Sequence, residues 1–170
     1  MEQTAAAGDI SAEIQEKRDG KYLTFCLADE EYGIGIRKVK EIIGMMTVTS
    51  IPQMPGYVKG VINLRGKVIP VIDLRLKFGM ESIAYTERTC IVVVEINGGK
   101  RKIQMGIIVD SVSEVLNVRQ GDIADTPTFG ATVDTDYILG MAKMEGGVKI
   151  LLDIDSVLSE RDFQDVASAA

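Results

Sequence analysis

With 170 residues, 46% of them hydrophobic and 26% charged, the chain has an ordinary soluble composition and the length of one domain or two very small ones. Nineteen Lys+Arg against 25 Asp+Glu leave a net charge of −6, which argues against a phosphate-backbone partner because such binding needs clustered positive charge. Histidine is absent, so Ser-His and Cys-His nucleophile pairs, His metal ligation and histidine phosphotransfer are all excluded.

Residues 1–19 are polar and poor in bulky apolar side chains, and read as a flexible tail with at most a weak helix over 12–17. They lack the basic flank and apolar stretch of a signal peptide. No apolar run approaches the ~20 residues of a membrane span, so a cytoplasmic chain without membrane insertion is expected. From residue 20 the character changes, and a folded domain is expected over 20–158, followed by a helix or tail over 159–170. Short runs rich in Val, Ile, Tyr and Phe recur at 22–27, 32–36, 41–45, 57–64, 67–73, 89–96, 102–109, 114–118, 137–144 and 148–153. Their length, β-branched content and turn signals predict about ten strands in an all-β fold. Asp29-Glu30-Glu31, Arg65-Gly66, Asn97-Gly98-Gly99 and Glu145-Gly146-Gly147 separate apolar runs as tight hairpin turns do. The C-terminal segment is expected to form a helix from about Asp155, presenting Val157, Leu158, Phe163 and Val166 to a barrel or groove.

The two halves of the chain resemble each other. Gly33-Ile34-Gly35-Ile36-Arg37-Lys38-Val39-Lys40-Glu41-Ile42-Ile43 aligns with Gly106-Ile107-Ile108-Val109-Asp110-Ser111-Val112-Ser113-Glu114-Val115-Leu116 at an offset of 73 (33 to 106). Tyr57-Val58-Lys59-Gly60 and Val71-Ile72-Asp73-Leu74 align with Tyr137-Ile138-Leu139-Gly140 and Leu151-Leu152-Asp153-Ile154 at an offset of 80 (57 to 137). A repeat of this kind dictates architecture. Five strands per repeat predict two small barrels in tandem, a form that removes exposed sheet edges. Each is too small to fill a core alone, so the two are expected to share apolar surface and fold as one unit.

Chemistry is sparse. Asp73 and Asp153 each follow a strand and precede a helical turn, where a carboxylate caps exposed amides; a catalytic carboxylate pair is the sharper alternative. No phosphate-cradling glycine loop is present. The acidic group Asp134-Thr135-Asp136 with Asp122 and Asp125 lacks the full calcium-loop pattern. Cys26 and Cys90 lie in apolar runs without metal-ligand spacing and read as free buried thiols. No cofactor, no metal site and no enzymatic activity are expected. The conspicuous motif is Asn63-Leu64-Arg65-Gly66-Lys67 at a hairpin tip, whose repeat counterpart carries Glu145. The planar donors of Arg65 suit a carboxylate, either on a partner or on Glu41 of the preceding strand. Ile36, Val39, Ile42, Ile43, Met45, Met46 and Val48 supply more aliphatic surface than a single small barrel needs.

These residues resemble the CheW family, adaptors that couple bacterial chemoreceptors to the histidine kinase CheA. The match is carried by Glu31-Tyr32-Gly33-Ile34, Val39-Lys40-Glu41-Ile42, Gly60-Val61-Ile62-Asn63-Leu64-Arg65-Gly66, Ile69-Pro70-Val71-Ile72-Asp73-Leu74-Arg75, Gly106-Ile107-Ile108-Val109-Asp110 and Ile150-Leu151-Leu152-Asp153. It runs from about residue 21 to 158. The resemblance implies two five-stranded SH3-like barrels around a common core and an adaptor without catalysis. Such an adaptor binds the regulatory domain of CheA through one barrel and the cytoplasmic tip of a chemoreceptor along a groove between barrels. Carried onto this chain, it places Val39, Glu41, Lys59 and Gly60 on the kinase-facing barrel. Arg65, Cys90 and Val115 fall at receptor contacts, with Arg65 also pairing with Glu41 as a structural ion pair. Gly35 and Cys90 depart from the family's usual residues. Modules of this kind also occur within CheA and CheV, but this chain lacks the length for their further domains. Three other readings stay open: a scaffold of a chemosensory pathway driving pili or another output, a small-barrel RNA-binding module, and a metal- or ligand-dependent enzyme using carboxylates of the acidic loops.

Overall fold

Continuous runs of buried side chains, over 22–25 on one strand and 32–34 on the other, lay down the first hairpin. β1 (Gly20–Leu27) and β2 (Glu30–Gly35) pair antiparallel from Tyr22↔Gly35 to Leu27↔Glu30. A single turn of 3-10 helix, Ile36–Lys38, leads into β3 (Val39–Gly44). β4 (Val58–Leu64) and β5 (Lys67–Asp73) form the next hairpin. At its tip Arg65 (φ 53°) and Gly66 (φ 87°) both adopt left-handed backbone, the geometry of a tight primed turn, and Asn63 Oδ1 accepts from the Gly66 N–H at 2.8 Å. The helical turn Leu74–Lys77 follows. Beyond it lie β6 (Cys90–Asn97), β7 (Lys102–Val109), β8 (Ser111–Val118), the 3-10 turn Gln120–Asp122 and the two-residue β9 (Ile123–Ala124). β10 (Ile138–Met144), β11 (Gly147–Leu152) and the helical turn Ile154–Val157 complete the order. The computed structural model describes residues 18–97, 101–127 and 137–158. The expected tail and weak helix over 1–17, part of the turn at Gly98-Gly99, the Asp134-Thr135-Asp136 group, and Phe163 and Val166 lie outside the described residues.

The all-β expectation holds, and the strands form two sheets. Their orders are β8-β1-β2-β11-β10-β9 and β3-β6-β7-β5-β4. Neither sheet is one sequence repeat. Hairpin β1–β2 joins strands of the second half, while hairpin β6–β7 joins strands of the first. The joints are parallel: β2 beside β11 through Gly33↔Leu151 and Ile34↔Leu152, and β7 beside β5 through Gly106↔Val71 and Ile107↔Ile72. These contacts are related by the two sequence offsets, so the repeat is a structural duplication with its first hairpins exchanged. The repeated glycine sits where the strands crowd: a Cβ on Gly106 would come within 2.8 Å of Ile91 Cγ2, and one on Gly33 within 3.1 Å of Leu151 Cδ2.

Exchange forces a shared interior. One buried cluster draws Leu23, Phe25 and Ile34 from the six-stranded sheet and Ile72, Val92 and Ile107 from the five-stranded one. An aromatic run crosses it: Phe25 to Tyr32 at 6.0 Å between ring centroids, Tyr32 to Phe78 at 5.9 Å, and Phe78 to Tyr137 at 5.3 Å. Smaller clusters fill each sheet separately, around Ile62, Val71 and Ile91 in one and around Tyr22, Val118 and Leu151 in the other. Each such side chain contributes roughly 1.5–3 kcal/mol on burial, and most of that burial needs both sheets.

The two aspartates diverge. Asp73 accepts from the Arg75 and Leu76 amides at 3.0 and 3.4 Å, a helix cap as expected, and its second oxygen accepts from the Tyr85 hydroxyl at 3.1 Å. Asp153 does not cap through its carboxylate. Its backbone carbonyl takes the Ser156 and Val157 amides at 3.0 Å, while its side chain accepts from the Ser156 hydroxyl at 3.0 Å. Ser156 supplies a donor that its repeat counterpart Leu76 lacks, and the carboxylate turns to it.

Candidate functional site

The hairpin tip and the edge strand beside it are built as one unit. β3 carries Glu41 opposite Val93, and the left-handed turn at Arg65 aims its guanidinium at that carboxylate. Nη1 donates to Oε2 at 3.3 Å, and Nη2 donates to Oε1. This hydrogen bond holds the Glu41 carboxyl below its ordinary range and pushes the Arg65 guanidinium higher still. The Arg65 side chain is 71% exposed, so solvent screens the pair and its value lies in orientation more than stability. Val39, at the start of β3, pairs with Val94 and packs against the shared core. Lys59 is half-buried on β4. Gly60 has φ +139°, and a Cβ there would lie 1.9 Å from the Thr49 carbonyl oxygen. The chain near Thr49 bridges to Val61, with N–H···O bonds of 2.8 and 2.9 Å. The glycine is therefore required by backbone approach inside the fold. Val39, Glu41, Lys59 and Gly60 all fall on β3 and β4, the two outer strands of the five-stranded sheet.

The second group is dispersed. A groove of about 480 Å³ is lined by Cys26, Glu87, Arg88, Cys90, Ser111 and Ser113, among others. Cys90 is therefore in the groove. Val115, 49% exposed on β8, and Arg65 are not among its lining residues. The expectation of buried thiols is corrected: both cysteines are free and half-buried. Cys26 alternates outward between the buried Phe25 and Leu27, and Cys90 is the first residue of its strand. Cys90 Sγ donates to the Arg88 carbonyl at 3.2 Å, and Cys26 Sγ lies 3.5 Å from Ser113 Oγ.

Two features escaped the sequence reading. A cavity of about 710 Å³ is lined by Tyr22, Ile36, Arg37, Lys38, Leu139 and Ile154, among others. The other feature is a set of side-chain clasps. Arg75 donates to Asp110 from Nε at 2.7 Å and from Nη2 at 2.8 Å, and Asp110 also accepts from the Ala28 amide at 2.8 Å. Partial burial works to raise the Asp110 carboxyl, but the Arg75 bonds and charge and the Ala28 amide together carry it below its ordinary range. Burial followed by the Asp73 charge pushes the Tyr85 hydroxyl well above its usual range. Arg75 and Asp110 both fall within motifs of the resemblance, yet no spacing pairs residues 35 apart. Among the described residues no group of three or more His, Cys, Asp or Glu gathers to hold a metal, and no helix is long and apolar enough to cross a membrane.

Comparison with known proteins closes the question of kinship. The CheW-like domain family matches residues 21–162. The chain is 41% identical over 166 residues to the chemotaxis protein CheW of Klebsiella aerogenes, covering 98% of each. It is 34% identical to the chemotaxis protein CheW of Bacillus subtilis, covering 91% of this chain and 96% of that one. Among solved structures it superposes on the scaffolding protein TtCheW of Thermoanaerobacter tengcongensis with a TM-score of 0.73 and 35% identity, covering 85% of this chain and 95% of that one. Two interleaved SH3-like barrels, a charged hairpin tip facing an edge strand, and a match along nearly the whole chain make this protein a member of the CheW family.

Proposed function

We propose that the chain is a non-catalytic chemotaxis adaptor that holds the regulatory domain of CheA on the outer strands of the five-stranded barrel and a chemoreceptor tip at the groove between barrels. The observation that carries this reading is the clasp of Arg65, at the β4–β5 tip, on Glu41 of β3, which draws together the two outer strands that bear Val39, Glu41, Lys59 and Gly60. Two partners held on one rigid body meet at raised effective concentration and in fixed orientation. The shared core supplies that rigidity. The domain bounds of 20–158 and recruitment to receptor arrays belong to the same proposal.

A reconstituted assay of receptor-dependent CheA activity tests it. Arg65→Glu places two carboxylates face to face at the tip and is expected to abolish activation, with the circular dichroism spectrum and melting temperature close to wild type. Val39→Asp is expected to weaken CheA binding at least tenfold by calorimetry. Wild-type activation by the first variant together with wild-type affinity of the second would overturn the assignment.

A further inference from the structure

Both cysteines of the chain line the same groove; Cys90 also packs against the shared core, whereas Cys26 belongs to none of the buried clusters. Cys26 sits on β1 directly opposite Ser111 of β8, and Cys90 sits on β6 directly opposite Val109 of β7. β7 and β8 are joined only by Asp110, so a single corner of chain brings the two thiols to one wall. Both are half-buried rather than sealed in. Their neighbours are hydroxyls and a carbonyl: Ser113 beside Cys26, the Arg88 carbonyl beside Cys90. The rim bears one charge of each sign, on Arg88 and Glu87. The volume, about 480 Å³, falls in the range of small-ligand pockets.

We propose that this groove is a reversible S-thiolation site that takes one peptide-sized thiol, of the glutathione class, as a mixed disulfide on one of the two cysteines. A cysteine thiolate attacks one sulfur of the small disulfide. The S–S bond of that disulfide breaks, a new S–S bond forms to the protein, and the displaced half leaves as a thiolate that takes up a proton from water. Excess thiol runs the exchange backward. The zwitterionic adduct finds Arg88 and Glu87 for its own opposite charges. The groove has room for one such group, so the first adduct covers the second thiol. Its consequence rests on the proposed function: an occupied groove excludes the receptor tip, while the CheA face on β3 and β4 stays open.

The test incubates the full chain, folded, with excess oxidised glutathione, and reads intact mass and free thiols. One adduct per chain is expected in the folded protein and two in urea. The adducted chain is expected to bind a receptor hairpin at least tenfold more weakly, to bind the CheA regulatory domain unchanged, and to recover hairpin binding after dithiothreitol. No adduct on the folded chain, two adducts on it, or undiminished hairpin binding by the adducted chain would overturn the proposal. If the untreated chain itself fails to bind the hairpin, the receptor assignment fails, and adduct stoichiometry alone decides the modification site.

Discussion

Two junctions tie the barrels together, and they carry the same device with the charges exchanged. At one, Arg75 of the turn after β5 grips Asp110 of the corner between β7 and β8, and Asp110 also receives the Ala28 amide from the β1–β2 turn. At the other, Lys38 of the corner after β2 bonds Asp155 of the turn after β11 at 2.6 Å, and Asp155 also receives the Asn97 amide at the end of β6 at 3.0 Å. By the repeat offsets, Arg75 corresponds to Asp155 and Asp110 to Arg37, the neighbour of Lys38. Acid and base have changed sides. What survives is a carboxylate that joins a cation across the interface to an amide of the exchanged hairpin. Attraction is indifferent to which partner bears which sign, so the duplicated halves have drifted while the junction persists. The clasps are unequal: Arg75 and Asp110 side chains are 14% and 20% exposed and meet through two bonds, whereas Lys38 and Asp155 are 34% and 27% exposed and meet through one.

The glycines of the two barrels invite the hardest perturbation of this near-symmetry. Gly60→Ala drives a Cβ into the Thr49 carbonyl at positive φ, whereas its counterpart Gly140→Ala meets Ile123 Cγ2 at 2.7 Å and the Ala124 carbonyl at 3.1 Å. Urea unfolding is expected to show a loss of about 3 kcal/mol or more at Gly60 and a smaller loss at Gly140. Next comes Arg75→Ala, which leaves Asp110 half-buried with only the Ala28 amide; a loss of about 2 kcal/mol is expected, between the values for surface and buried pairs. Lys38→Ala, at the more open junction, is expected to cost about 0.5–1 kcal/mol by the same measurement. Equal losses at the two clasps would refute the ranking by burial.

Acid provides the mildest probe. Asp110 is depressed in the folded state, so its contribution is complete above the ordinary carboxylate range near pH 4 and fades as pH falls through the lower folded value. Thermal melts of wild type and Arg75→Ala are expected to differ by a constant amount from pH 7 to about 5 and to converge below pH 4. A gap that persists to pH 2 would show that the Arg75 side chain acts through packing rather than charge.

Much of this structure could be read from local signals. The hairpin turn at Arg65-Gly66, the cap at Asp73 and the helical turns after β5 and β11 were visible because each depends on residues a few positions apart, and the repeat was visible because it is a likeness between two stretches of sequence, whatever their separation. β9 was missed, since two residues carry no periodicity. The Arg65–Glu41 pairing was foreseen as one of two partners for a hairpin arginine, and the structure puts the two side chains in contact. The resemblance implied a groove between barrels with Cys90 at a contact, but the groove's other lining residues and the cavity were invisible, being formed by loops and corners from distant parts of the chain. The half-exposure of Cys26 was hidden for the same reason: its neighbours Phe25 and Leu27 are both apolar, and only the sheet decides which side faces out.

Sequence alone determined that this chain is a duplicated β protein without histidine chemistry, with tight hairpins whose residues leave the backbone little choice. Tertiary structure decided which hairpin goes to which barrel. A strand edge offers the same row of amides and carbonyls whatever its side chains, so β2 beside β5 and β2 beside β11 look alike in local hydrogen bonding. The choice falls to burial: the exchanged arrangement puts Gly33 under Leu151 and Gly106 under Val71, and places the aromatic run from Phe25 to Tyr137 in one core. No window of the sequence contains both sides of those contacts.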